Sequence, residues 1–225
     1  MSADGGGPDL AALYLDTQAR LAALVAGLDA AALAAPVPAC PGWSVQDVVA
    51  HEVAIAEDAL AGRLTGPPSE AETAAQVRRF RGRDLPGVLA DWARLAPGFA
   101  EVAAAFRVWP AVIDIASHEQ DIRGALGQPG ARDTEVIRLA ADLLLRGLEP
   151  PVPVRVTVRD AGVSFRAGVG DGPELGLSTC WFEAFRWRMG RRSRAQLAAL
   201  DWTGDPSSVL DHLAVFGPSP VDIIE

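Results

Sequence analysis

A proline-rich segment, Glu149-Pro150-Pro151-Val152-Pro153, divides the sequence into two parts with different hydrophobic patterns. Before this segment, apolar residues recur mainly at helical spacing. After it, residues 153–158 and 163–169 read PVRVTV and VSFRAGV, a pattern typical of two strands joined by a hairpin. Because consecutive prolines interrupt regular structure, we predict an α+β protein with two domains. A helical bundle occupies residues 1–149, and a small α/β domain occupies residues 150–225.

The first part is expected to contain several helices separated by proline and glycine. We expect the third of these to be interrupted near Pro86-Gly87 and near Pro97-Gly98, because proline breaks helix interiors. The predicted helices cover residues 8–35, 45–62, 69–106, 109–127 and 133–148.

Composition excludes several classes of function. The 225 residues are 49% hydrophobic and 22% charged, as expected for a folded globular protein, and the formal net charge of -9 argues against nucleic-acid binding. All 20 basic residues are arginine, which excludes chemistry that needs a lysine. The first ten residues lack the pattern of a signal peptide, and no apolar run approaches the ~20 residues of a membrane span. We therefore expect a cytoplasmic protein without membrane partners.

The segment CPGWSVQDVVAHE, residues 40–52, carries the first candidate chemistry. Trp43, Asp47 and His51 recur every four residues and so lie on one side of a helix. Ser44 and Asp47 are also spaced as a capping box, which starts a helix. Asp47 therefore either completes the cap or orients the imidazole of His51 through a hydrogen bond.

A second pair of candidate ligands, Asp114 and His118, is also four residues apart on a predicted helix. If the bundle brings His51 opposite them, two imidazoles and one carboxylate surround a divalent ion and leave a coordination position open. Asp121 is then placed to orient the ring of His118. The alternative is an ordinary solvated His–Asp pair and an unrelated histidine.

Cysteine and arginine supply further candidates. Cys40 is interpreted either as a reactive thiol near a helix start or as a small buried residue. Arg191, Arg192 and Arg194 follow a predicted helix, where they form an anion clamp or a solvated turn that complements the helix dipole.

These motifs resemble those of a known family. CPGWSVQDVVAHE, followed by DIASHEQDIRGALGQP, is similar to the two motifs of the actinobacterial mycothiol-dependent maleylpyruvate isomerase family. Members of this family have a DinB-like, metal-binding four-helix bundle. The tail FRWRMGRRSRAQLAALDWTGDP resembles the small, sterol-carrier-like C-terminal domain of the same family.

The resemblance implies a metal site and a thiol cosubstrate. Carried over by position, the metal ligands are His51, Asp114 and His118, and zinc is the expected ion. Arg191 matches an arginine that contributes to isomerase activity in the family, although Arg192 and Arg194 fit the same pattern. Asp114 departs from the glutamate of the characterised isomerase and is one methylene shorter. The implied activity is a mycothiol-dependent cis-trans isomerisation or thiol S-transfer on a small electrophilic substrate.

Two other functions fit the same sequence. One is a metal-dependent hydrolase on the same scaffold, and the other is a non-catalytic metal-binding or redox-sensing regulator of a protein partner.

Overall fold

The computed structural model describes residues 7–64, 66–170 and 172–225. Within these residues the chain forms two compact units, which divide between Gln128 and Pro129. The mixed fold class expected from the sequence, a helical part followed by a small domain containing a sheet, is confirmed.

The first unit is built from helices. The long helices α1, α3, α5 and α6 pack against one another in pairs, and α4 packs on α3. The elements are α1 (Leu10–Ala26), α2 (Ala30–Leu33), α3 (Val45–Leu60), α4 (Glu70–Phe80), α5 (Leu85–Ala105) and α6 (Trp109–Ala125).

Helix α5 differs from the sequence prediction. The interruption expected at Pro97-Gly98 is wrong, because Pro97 lies inside a continuous helix. Proline in a helix interior costs about 3 kcal/mol. The neighbouring Trp92, Ala96 and Phe99 are all buried, and their packing offsets that cost. The interruption expected near Pro86 is also displaced, since α4 and α5 are separated by residues 81–84 and Pro86 lies in the first turn of α5.

The second unit combines helices with a sheet. The sheet has the order β2-β1-β3-β4, in which β1 and β3 are parallel and the other neighbours are antiparallel. Its elements are α7 (Glu135–Arg146), β1 (Val154–Val158), β2 (Val163–Ala167), β3 (Leu175–Thr179), α8 (Trp181–Arg188), α9 (Arg194–Ala198) and β4 (Asp201–Thr203), followed by 3-10 turns at Pro206–Ser208 and Leu210–His212. Alternate residues of β1 and β3 are buried, so one face of the sheet covers the core of this unit.

The division between the units falls at residues 128 and 129, whereas the sequence placed it between residues 149 and 150. The difference is helix α7. This helix packs against α8 and β2 and buries Val136, Ile137 and Leu145. Its helical periodicity assigned it to the helical part, but its contacts assign it to the unit that contains the sheet.

No helix within the described ranges is long and apolar enough to cross a lipid bilayer.

Candidate metal centre

The start of helix α3 is fixed by a capping box. Ser44 is the N-cap, its hydroxyl oxygen accepts a hydrogen bond from the Asp47 amide at 3.2 Å, and Asp47 Oδ2 accepts one from the Ser44 amide at 2.9 Å. The predicted cap is therefore confirmed, and Asp47 takes the capping role of the two considered. This start directs His51, two turns later, into the interior of the bundle, where it is 5% exposed.

Three side chains proposed from the sequence converge in the structure. His51 Nε2 lies 3.5 Å from Asp114 Oδ2, and His118 Nε2 lies 3.6 Å from Asp114 Oδ1. The two imidazole rings are 5.5 Å apart between centroids. Glu52 joins them, since one ligand atom from each of the four residues lies within 4.8 Å of the others. We call these four residues the cluster.

The cluster has a closed side and an open side. His51, Glu52 and His118 are buried, whereas the Asp114 side chain is 37% exposed. Trp43 covers both imidazoles, with its ring centroid 5.1 Å from that of His51 and 6.4 Å from that of His118. A ligand can therefore reach the cluster from the side of Asp114.

The second nitrogen of His51 is held by a chain of polar groups from helices α3 and α4. Gln76 Nε2 donates a hydrogen bond to Asp58 Oδ2 at 2.8 Å, so the amide oxygen of Gln76 faces His51 Nδ1, at 3.1 Å. Since an amide oxygen only accepts, Nδ1 carries a proton, and Nε2 faces the cluster. Arg63 and Arg79 pair with Asp58 and anchor the other end of the chain.

The ring of His118 is oriented in a similar way. Its Nδ1 lies 3.2 Å from Asp121 Oδ2, and a carboxylate accepts, so Nε2 again faces the cluster. The predicted placement of Asp121 beside this ring is confirmed. Cys40 lies at the same edge, with its sulfur 3.7 Å from His118 Nδ1 and 3.6 Å from Asp121 Oδ2. Cys40 is only partly buried.

Charges inside the cluster perturb two titratable groups. Burial, reinforced by the negative charge of Asp114, raises the pKa of Glu52 well above its ordinary value. Burial alone would lower the pKa of His118, but the charge of Asp114 and the hydrogen bonds with Asp121 and Cys40 raise it well above its ordinary value. Perturbed pKa values in neighbouring carboxyl and imidazole groups are characteristic of functional sites.

The residues present fit a divalent metal ion. Two imidazoles direct Nε2 toward the cluster because their Nδ1 atoms are engaged by Gln76 and Asp121, the arrangement usual for metal-bound histidine. A carboxylate from Asp114 lies within 3.6 Å of both nitrogens. Together with His51 and His118, this carboxylate would supply the third ligand of such an ion.

The arginines proposed as an anion clamp have separate positions in the second unit. The side chain of Arg191 donates to the carbonyl of Met189 at 2.7 Å. Arg192 is buried and pairs with Glu183 at 2.6 Å and with Glu225 at 3.2 Å. Arg192 therefore stabilises the second unit through internal ion pairs. This role corresponds neither to the predicted anion clamp nor to the predicted solvated turn.

Arg194 and Arg188 also have partners within the second unit. Arg194 pairs with Asp211 at 3.1 Å on the surface. Arg188 is buried and donates to the carbonyls of Leu144 and Gly147, and burial lowers its pKa to about 10. Of the three arginines weighed from the sequence, Arg191 remains the predicted substrate-binding residue.

Comparison with known proteins identifies the family. The model of the mycothiol maleylpyruvate isomerase N-terminal domain matches residues 14–135, just over half of the chain. The chain belongs to this family. The match extends from α1 into the start of α7 and includes His51, Asp114 and His118. The resemblance stated from the sequence is therefore confirmed.

Two solved structures share the fold of this member of the mycothiol maleylpyruvate isomerase family. One is a crystal structure of the mycothiol-dependent maleylpyruvate isomerase, 16% identical with a TM-score of 0.60, covering 85% of this chain and 92% of the other. The second is a histidine-to-alanine mutant of that isomerase, 15% identical with a TM-score of 0.60, covering 84% and 92%. At these identities the likeness concerns the fold. No curated protein sequence matches the chain.

Sequence reasoning missed two members of the site in this family member. Glu52 follows His51 directly, about 100° around the helix, so the four-residue spacing that revealed the other candidates gave no signal for it. Gln76 belongs to α4 and meets His51 only through the packing of α4 on α3. The adjacency of His51 and Glu52 does not distinguish Glu52 either, because Glu119 follows His118 in the same way and pairs with Arg20 and Arg123.

Proposed function

We propose that this protein is a divalent-metal-dependent enzyme that uses mycothiol to isomerise, or to transfer the thiol to, a small electrophilic substrate. The observation that carries the proposal is the convergence of two imidazole Nε2 atoms on one carboxylate, with both Nδ1 atoms engaged elsewhere. Membership of the mycothiol maleylpyruvate isomerase family supports the choice of thiol.

The residues of the cluster have separate roles in this proposal. His51, Asp114 and His118 hold the ion, with zinc the expected metal. Gln76 and Asp121 fix the orientation of the two imidazoles. When bound, such an ion lowers the pKa of a coordinated thiol, so that thiolate predominates at neutral pH.

The proposed reaction is balanced without an oxidant or a reductant. The thiolate adds to one carbon of a conjugated cis double bond, and the electron pair moves to the carbonyl oxygen of the substrate. Rotation about the resulting single bond follows. The electron pair then returns, the carbon–sulfur bond breaks and the trans double bond forms, which releases the thiolate. In S-transfer the adduct instead takes up a proton and leaves.

Arg191 is proposed to bind a carboxylate of the substrate. A guanidinium group binds a carboxylate through two parallel hydrogen bonds. For a carboxylated substrate, we expect Arg191→Ala to raise KM at least about tenfold, since a charge-assisted hydrogen bond contributes about 1.5–3 kcal/mol. Metal content should not change. An unchanged KM would refute this role of Arg191.

The metal is tested by elemental analysis of the purified protein. We expect wild-type protein to contain close to one divalent ion and His118→Ala to contain much less. His212→Ala is a matched control, because His212 is exposed on a 3-10 turn of the second unit and should not affect the metal. Equal metal content in wild-type protein and His118→Ala would refute the ligand set.

The thiol is tested by thermal unfolding and by turnover. Mycothiol at 100 times its Kd should stabilise the metal-loaded protein by about 2.7 kcal/mol. A panel of electrophiles, including cis-configured unsaturated carbonyl compounds, should then reveal isomerisation or adduct formation. Absence of both stabilisation and turnover would contradict the proposal and favour a hydrolase or a metal-binding regulator.

A further inference from the structure

Glu52 is a buried carboxyl group without a hydrogen-bond partner for one of its oxygens. It is 1% exposed, and its Oε1 is buried and accepts no hydrogen bond from the residues that the structure describes. One of its oxygens lies within 4.8 Å of ligand atoms from His51, Asp114 and His118. An unpaired polar group of this kind costs free energy, and ionisation of a buried carboxyl group requires a compensating positive charge.

We propose that Glu52 is a fourth protein ligand of the metal, so that the centre contains two imidazoles and two carboxylates. The inference rests on the metal dependence proposed above. It extends the three-residue ligand set obtained from the sequence motifs.

A second buried glutamate shows how this protein compensates a carboxylate that has only a structural role. Glu119 follows His118 directly, as Glu52 follows His51, and is also 1% exposed. Its carboxylate pairs with Arg20 at 2.9 Å and with Arg123 at 3.0 Å. Glu119 is therefore neutralised by guanidinium groups from α1 and α6.

Glu52 has a different environment. Within the described part of the chain, no arginine forms an ion pair with Glu52, and the positively chargeable groups near it are the imidazoles of the cluster. Asp114 adds a second negative group at the same place. Two carboxyl groups and two imidazole Nε2 atoms converge there, and one divalent cation satisfies all four groups because two carboxylates neutralise its charge.

The ligand set has a consequence for coordination. Four protein ligands fill a tetrahedral zinc site and leave no position for a thiol. A site that also binds a thiol must therefore be at least five-coordinate, as zinc permits and as Mn²⁺, Fe²⁺ and Co²⁺ readily adopt. A three-ligand site would remain four-coordinate with the thiol bound.

The experiment compares Glu52→Gln with the matched control Glu119→Gln. Metal-free protein is titrated with Zn²⁺ and with Co²⁺ in competition with a chromophoric chelator, and its thermal unfolding is measured separately. Mutation of residues that merely support metal ligands costs roughly 10–100-fold in affinity, so we expect Glu52→Gln to weaken Zn²⁺ binding by about 100-fold or more. Glu119→Gln should retain the affinity and lower the unfolding temperature, because Arg20 and Arg123 lose their partner.

The visible spectrum of bound Co²⁺ distinguishes a ligand from a nearby charge. These bands intensify as the coordination number falls, so loss of Glu52 should change their intensity and position. A weaker affinity with an unchanged Co²⁺ spectrum would overturn the assignment of Glu52 as a ligand. Equal affinity in wild-type protein and Glu52→Gln would also overturn it, while leaving the proposed function intact.

Two further results show whether the metal dependence or the assignment of Glu52 as a ligand has failed. If wild-type protein binds neither ion, the proposed metal dependence fails, and the inference fails with it. If Glu52→Gln does not fold, Glu52→Asp replaces it, since this variant keeps the charge and shortens the side chain by one methylene. A direct ligand then loses affinity, and unchanged affinity in Glu52→Asp would refute the assignment.

Discussion

Replacing Gln76 with alanine tests how the bundle orients its metal-binding histidine. Gln76 is 2% exposed and connects His51 Nδ1, at 3.1 Å, with Asp58 Oδ2, at 2.8 Å. Alanine removes both hydrogen bonds and leaves the Nδ1 proton of His51 without its acceptor. The imidazole can then rotate or exchange its proton between nitrogens, which removes the Nε2 lone pair from the cluster.

The contacts of Gln76 determine how much stability and how much metal affinity the variant should lose. Loss of the neutral hydrogen bond costs about 0.5–1.5 kcal/mol and loss of the bond to the Asp58 carboxylate about 1.5–3 kcal/mol, so the metal-free protein should lose roughly 2–4.5 kcal/mol of unfolding free energy. Loss of the partner behind a metal-bound histidine weakens metal binding roughly 10–100-fold. That factor corresponds to about 1.4–2.8 kcal/mol.

Two measurements separate stability from binding. Urea unfolding of metal-free protein reports the first effect, and Zn²⁺ titration against a chelator reports the second. Gln46→Ala is the matched control, because Gln46 also belongs to the α3 region but its side-chain amide donates to the exposed backbone carbonyl of Arg83, at 3.0 Å, and not to the cluster. It should change unfolding free energy by less than about 0.5 kcal/mol. If Gln76→Ala binds Zn²⁺ as tightly as Gln46→Ala does, Gln76 does not orient His51.

Three further predictions concern the helix start, the polar chain and the core. Asp47→Ala should cost about 1 kcal/mol in urea unfolding through loss of the capping box, with unchanged Zn²⁺ affinity; weaker Zn²⁺ binding would restore the ring-orienting role of Asp47. Although burial opposes it, hydrogen bonds from Gln76 and the arginines lower the pKa of Asp58, so its stabilising contribution is complete above the unfolded value of about 3.9 and disappears as the pH falls through the lower folded value. The difference in unfolding free energy between wild type and Asp58→Asn should therefore be largest at neutral pH and shrink in acid, and a pH-independent difference would exclude the ionised carboxylate as its cause. Trp92→Ala should cost about 3–5 kcal/mol in chemical denaturation, since Trp92 is fully buried and donates to the Tyr14 hydroxyl at 3.1 Å; a cost below about 1 kcal/mol would contradict this packing.

Local patterns in the sequence predicted much of the fold. The capping box of Ser44 and Asp47, the hairpin across residues 160–162 and the helical periodicity of most of the first unit all depend on contacts between residues close in the chain. Such contacts have the same geometry in any protein, so they can be predicted from spacing. Proline was less informative, because burial of Trp92 and Phe99 keeps α5 continuous through Pro97.

The candidate site shows the same division between local and long-range information. The sequence by itself determined that Asp114 and His118 share one side of α6 and offered His51 as a third candidate ligand, and the motif resemblance supported that set. Only the tertiary structure decided that Gln76 rather than Asp47 holds His51, that Glu52 joins the cluster, and that α7 packs with the sheet. Spacing along a helix fixes which residues face the same direction, but which helix they face depends on how side chains from distant segments pack and compensate one another's charge.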